Sequence, residues 1–181
     1  RGLGDVYKRQ EFKEARGVLS GVIRNTSLVY SPAFSKATGN QIYIKPENMQ
    51  VTGAYKIRGA YYKISTLSDE EKARGLVTAS AGNHAQGVAL AATRRGIRSI
   101  VCMPDGAPIM KVENTKSLGA EVCLVPGTYD DAHDKAVELQ AETGMTFIHP
   151  YDDEQVIAGQ GTIGLEILDQ LPDLDAVIVP V

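Results

Sequence analysis

Apolar positions along this chain follow two rhythms that take turns. Phe12, Ala15, Val18, Leu19 and Val22 fall at helical spacing between Glu11 and Ile23. QIYIKPE (41–47) is predicted as a short strand ended by Pro46, after a turn at Gly39-Asn40. Beyond Thr52-Gly53, the residues Ala54, Ile57, Tyr61 and Ile64 share one helical face. Ser68-Asp69-Glu70-Glu71 is a capping-box pattern, opening a short helix that Gly75 closes. Continuous apolar runs then alternate with helical stretches: strand LVTA, helix Gln86 to Arg95, strand IRSIVCM, helix Lys111 to Leu118, strand EVCLV, helix Tyr129 to Glu142, strand TFIH, helix IGLEILDQL and strand DAVIVP. Strands apolar on both faces belong in parallel sheets covered by helices. The pattern therefore predicts an α/β fold of open twisted parallel sheets with helices on both faces.

Composition adds exclusions. The 181 residues are 43% hydrophobic and 23% charged, with net charge −3, which is ordinary globular material. No basic surface for nucleic acid is indicated, and no apolar run is long enough to cross a bilayer, so neither nucleic acid nor membrane is an expected partner. Cys102 and Cys123 each sit inside an apolar run and read as buried, reduced thiols of a cytoplasmic protein. Three isolated histidines give no metal-ligand spacing. RGLGDVYKRQ (1–10) has neither rhythm and reads as a non-native leader. The other end stops on what reads as a bare strand, so the chain is expected to be truncated.

Three motifs carry candidate chemistry. GQGTIG (159–164) matches the dinucleotide fingerprint and is read as opening a helix, but eleven residues separate Gly161 from TFIH and no acidic residue ends a second strand. These glycines are taken as close-packing positions, with nicotinamide binding the lesser alternative. SAGNHAQG (80–87) joins a strand to a helix. Its small residues Ser80, Ala81 and Gly82 let backbone amides approach an anion, and Asn83 and His84 offer directed hydrogen bonds. A plain strand-to-helix turn explains the same residues equally well. Lys56, in ENMQVTGAYKIRGAYYKI (47–64), lies in the first turn of a helix, where the dipole opposes a cation. Most lysines are solvated surface charges, but one flanked by Ala54, Tyr55 and Gly59 at this position suits a neutral, nucleophilic amine.

Taken together, ENMQVTGAYKIRGA, SAGNHAQGVA and PYDDEQVIAGQGTIGLEIL resemble the threonine and serine dehydratases, pyridoxal-phosphate enzymes of the tryptophan-synthase-β-like fold (fold type II), from about Glu11 to Val181. The resemblance implies pyridoxal 5′-phosphate as cofactor and an amino acid as the small-molecule substrate. Lys56 would join covalently to the cofactor and then take the substrate Cα proton; Asn83 would bond the cofactor's 3-hydroxyl and Tyr55 would flank it. Ser80, Ala81, Gly82, Asn83 and His84 would hold the substrate carboxylate, largely through backbone N–H groups. Ala81 stands where related serine racemases carry a second serine; alanine moves no proton, so elimination is favoured over racemisation.

The pattern is most similar to threonine ammonia-lyases, with serine or mixed lyases as the enzyme alternative and a carboxylate-binding module without catalysis as the other class. By analogy, residues 11–45 and 150–181 would be two pieces of a larger domain, and 46–149 a small α/β domain. The phosphate loop and the partner of the pyridine nitrogen would lie beyond residue 181. The chain alone is expected to be inactive, and the full-length protein a cytoplasmic homo-oligomer.

Overall fold

The computed structural model describes residues 9–180; residues 1–8 of the expected leader, and Val181, lie outside the described residues. Helix α1 (Arg9–Leu19) already includes the last two leader positions. A four-stranded, wholly parallel sheet forms the centre, from β3 (Leu76–Ala79), β4 (Ser99–Pro104), β5 (Glu121–Val125) and β6 (Thr146–Phe147), in the order β5-β4-β3-β6. Helices α5 (Asn83–Arg94), α6 (Ile109–Ser117) and α7 (Tyr129–Thr143) cross between successive strands, and α4 (Asp69–Arg74) leads into β3. Both faces of the central strands are buried, as the continuous apolar runs require. Val77, Ala79, Ile100 and Cys102 meet Ala132 and Ala136 of α7. On the other face, Val101 and Met103 meet Ala85 and Ala89 of α5, and Leu76 joins Val88 and Ala91.

Outside α5 lies α3 (Lys56–Ser65), and outside that α8 (Glu154–Gln170), with α1 packed on α8. Two glycines make the α3–α8 crossing possible. A Cβ on Gly159 would stand 2.6 Å from the Arg58 carbonyl oxygen and 2.7 Å from the Gly59 Cα; one on Gly59 would stand 2.7 Å from the Val156 oxygen. Beside them, Arg58 is fully buried and uses all five of its N–H donors: two to Glu47 at 2.8 Å each, two to Glu166 at 2.7 and 2.9 Å, and one to Thr162 Oγ1 at 3.1 Å. Lys45 reaches Glu166 at 2.6 Å, so two cations and two carboxylates close a neutral cluster. Burial works against the Glu47 carboxylate, but the hydrogen bonds and charge of Arg58 outweigh it and hold its pKa below the usual range. Removing one member of such a cluster strands a buried charge, at a cost of about 3–5 kcal/mol.

Several expectations need correction. GQGTIG does not open a helix; α8 starts at Glu154, capped by Asp153, and carries these glycines in its middle. Packing holds them there: Gly161 faces the Phe12 ring as Gly159 faces α3, whereas Gly164 has nothing within 4 Å and fills no packing role. DAVIVP is not a strand, because no strand among the described residues satisfies its backbone, and Ile178 is 91% exposed. QIYIKPE contributes only the exposed pair Tyr43–Ile44 (β2), antiparallel to Val29–Tyr30 (β1), so the protein is not purely parallel. Cys102 is buried, but Cys123 is only partly so, because β5 is the sheet edge. Helix α2 (Pro32–Thr38) was not anticipated, although Ser31 caps it and Gly39 ends it.

The contrast within α8 is testable by chemical denaturation. Gly159→Ala forces α3 and α8 apart and is expected to cost about 1–3 kcal/mol. Gly164→Ala meets open space and should stabilise by about 0.5–1 kcal/mol through helix propensity. Equal effects at the two positions would refute the close-packing account.

Candidate active site

The strand order reverses at β3: the chain runs from β3 outward through β4 to β5, then returns to place β6 on the other edge of β3. In open α/β sheets, ligands bind outside the carboxyl ends of the strands at such a reversal. Three segments converge there: the Ser80–Gly82 turn with the N-terminus of α5, the segment 148–150 after β6, and Lys56. Ile148 continues the ladder, its N–H donating to the Val77 carbonyl at 2.9 Å. Its own carbonyl accepts from Thr78 Oγ1 at 2.8 Å and lies 3.1 Å from His84 Nε2. Lys56 Nζ donates to the Pro150 carbonyl at 2.7 Å.

Lys56 is the first residue of α3, and α5 presses against it: a Cβ on Gly87 would lie 3.3 Å from the Lys56 carbonyl. Tyr55 is exposed, with its ring centroid 5.6 Å from Nζ. Partial burial depresses the Lys56 pKa, and the ammonium has no carboxylate partner among the described residues. Facing it, α5 begins at Asn83 after Gly82 without a side-chain cap, and Gln86 N–H is the first to reach back, to the Gly82 carbonyl at 3.4 Å. The N–H groups of Asn83, His84 and Ala85 therefore have no partner within the helix and point at the crevice with the positive end of the dipole. Ser80 Oγ accepts from Gly82 N–H at 3.2 Å, shaping the turn, and Ala81 sits between them.

The structure thus gathers Ser80, Ala81, Gly82, Asn83 and the backbone of His84 at one helix end, with Lys56 and Tyr55 across from it. It turns the His84 ring away. His84 is 3% exposed, and with a carbonyl as its neighbour Nε2 carries the proton and donates to Ile148, leaving Nδ1 buried without a partner among the described residues. Asn83 is exposed, and its Oδ1 lies 3.5 Å from Lys111 Nζ. Sequence reasoning missed Pro150, whose contribution is a backbone carbonyl that no side-chain pattern reveals. It also missed Arg58, although a charge beside the Ile57–Ile64 stripe was a usable signal. Grooves of about 280 and 310 Å³ near Tyr43 and Pro46 contain none of these residues.

Residues 19–181 match the family described as pyridoxal-phosphate dependent enzyme. The chain belongs to the pyridoxal-phosphate dependent enzymes. It is 53% identical over 172 residues to an L-threonine ammonia-lyase of Thermotoga maritima, covering 95% of this chain and 43% of that protein. It is 49% identical to an L-threonine dehydratase of Staphylococcus aureus, covering 99% of this chain and 50% of the other. Among solved structures, threonine deaminase isoform 2 of Solanum lycopersicum superposes with a TM-score of 0.87 at 41% identity, over 91% of this chain and 46% of that one. Maize serine racemase superposes with a TM-score of 0.90 at 36% identity, over 94% and 52%. The chain spans about half the length of the curated relatives it matches, and its fold is that of fold type II pyridoxal-phosphate enzymes.

The residues present suit this family's cofactor. An aldehyde needs an amine that gives up its proton readily, and Lys56 is so placed by burial beside a carbonyl rather than a carboxylate. An anionic ligand needs unpartnered N–H donors, which α5 supplies.

Burial also drives the His84 pKa down to about 4, aided by the charges of Lys56 and His149 against the opposing bond to Ile148. The unfolded imidazole titrates near 6.5, so between pH 6.5 and 4 the unfolded state binds the extra proton and stability falls with falling pH. The loss approaches about 3 kcal/mol once pH reaches the folded value. NMR should show the His84 ring titrating near 4, and His84→Gln should lose less stability than wild type between pH 7 and 4.5. A ring titrating near 6.5 would contradict this.

Proposed function

We propose that the protein is a pyridoxal-phosphate-dependent threonine ammonia-lyase, eliminating water from L-threonine and hydrolysing the product to 2-oxobutanoate and ammonia. One observation carries the reading: a lysine amine depressed by burial faces a free helix N-terminus at the sheet's reversal point, in a chain 53% identical to an L-threonine ammonia-lyase. When bound, pyridoxal phosphate supplies an electron sink for the negative charge that develops at the substrate Cα. Lys56 Nζ would hold the cofactor until the substrate amine takes its place, and the freed lysine amine would then accept the Cα proton. The N–H groups of Asn83, His84 and Ala85 receive the substrate carboxylate, and the Ser80–Gly82 turn keeps side chains out of its way. Asn83, exposed at the start of α5, would orient the cofactor's ring hydroxyl, and Tyr55 would flank the ring.

Ala81 supports elimination over racemisation: a methyl group offers no acid or base on the face opposite Lys56. A serine lyase is the second reading, favoured by the likeness to serine racemase at a TM-score of 0.90. Within the whole protein, residues 46–149 act as a small domain built on the four-stranded sheet, with 11–45 and 150–181 belonging to a larger one. A cytoplasmic homo-oligomer completes the proposal.

Wild-type full-length protein should develop the absorbance band of lysine-bound cofactor, and Lys56→Ala should lose that band and turnover together. An unchanged spectrum in Lys56→Ala would sink the reading. Comparing kcat/KM for threonine and serine separates the two lyases: threonine should exceed serine, and the reverse ratio would favour the second reading.

A further inference from the structure

The segment His149-Pro150-Tyr151-Asp152 is a turn held by one ring nitrogen. His149 Nδ1 accepts the N–H of Asp152 at 2.8 Å and the N–H of Tyr151 at 3.3 Å. Two donors facing Nδ1 leave it no proton, so the proton sits on Nε2. The ring itself is braced, 4.8 Å and edge-on from Tyr151 and 6.3 Å from Phe147, which in turn meets His133 at 5.6 Å. Inside this turn lies buried Pro150, and its carbonyl is the acceptor of Lys56 Nζ at 2.7 Å. The segment is fastened at its other end as well, where Ile148 receives Thr78 and His84. The direction of the Pro150 carbonyl therefore depends on two backbone N–H groups being satisfied by His149.

From this arrangement we infer that His149 is a positioning residue for Lys56: by accepting the Tyr151 and Asp152 amides it fixes the turn that presents the Pro150 carbonyl to Nζ. The role rests on the proposed function, because it matters only if Lys56 is the reacting amine. It belongs to the acceptor nitrogen and not to the aromatic ring, and two substitutions divide those properties. His149→Phe keeps a ring between Phe147 and Tyr151 but removes the acceptor. His149→Asn removes the ring but restores an acceptor oxygen able to bond the amides two and three residues on.

The test is the acylation rate of Lys56, read by mass spectrometry on the cofactor-free full chain with an amine-selective reagent. Lys45, whose side chain is 8% exposed, serves as an internal control for general loosening. His149→Phe should speed labelling of Lys56 about fivefold, the weight of one ordinary hydrogen bond, and leave Lys45 unchanged. His149→Asn should return Lys56 to the wild-type rate. Equal Lys56 rates in all three proteins, a fast His149→Asn, or a parallel rise at Lys45 would each overturn the inference. If His149→Phe does not fold, hydrogen exchange in wild type decides: the Tyr151 and Asp152 amides must be protected, and fast exchange at both overturns it. Labelling is measured without cofactor. Absence of the cofactor band in wild type would therefore count against the proposed function alone, and unchanged labelling against the positioning role alone.

Discussion

Everything the site does depends on α3 lying directly against α8. The contact is backbone to backbone at Gly59 and Gly159, too close for a methyl group on either side. Alone, such a contact gains little, because glycine brings no apolar area and weakens each helix. Arg58 makes the crossing specific. Its five N–H groups are satisfied only when Glu47, Thr162 and Glu166 stand where they do, which fixes the rotation of α3 about its axis. Lys56 is two residues away on the same helix, so that rotation decides where its amine points. Gln160 adds a further tie, its side-chain oxygen accepting the Gly59 N–H at 3.1 Å.

A second constraint comes from the sheet. The reversal of strand order at β3 leaves a crevice where two strands diverge, and α5 starts at its rim. Lys56 enters that crevice across α5, through the gap that Gly87 leaves. The amine meets a carbonyl and the positive end of a helix, and no carboxylate among the described residues. The result is a cation that gives up its proton readily, opposite N–H donors that want an anion. On the proposed function, both needs of an amino acid bound to an aldehyde cofactor would be met by backbone arrangement more than by side-chain chemistry.

Much of the architecture was legible because it is local. EVCLV appears as the strand read from it, LVTA likewise, and the Ser68 capping box closes on Glu71 as its spacing requires. Errors arose where tertiary contacts overrode local preference. The glycines of VIAGQGTIG look like a break, yet α8 runs through them because α3 and Phe12 pack against the bare backbone. DAVIVP has strand composition, but a strand exists only through its neighbour, and none is paired to it here.

By itself the sequence determined the α/β alternation, the motifs and the family they belong to, since periodicity, capping and motif spacing are carried by consecutive residues. It marked Lys56 as misplaced for a surface charge, a judgement that needed only its position in the helix. Tertiary structure alone decided which groups surround that lysine. Arg58, Gly87, His84 and Pro150 lie 2, 31, 28 and 94 residues from Lys56 in the chain. Pro150 acts through a backbone carbonyl, which leaves no trace in residue type, and that Gly87 and His84 lie beside Lys56 is visible only in the fold. Their effect on the amine is one of distance and dielectric, and these exist only once the chain has folded.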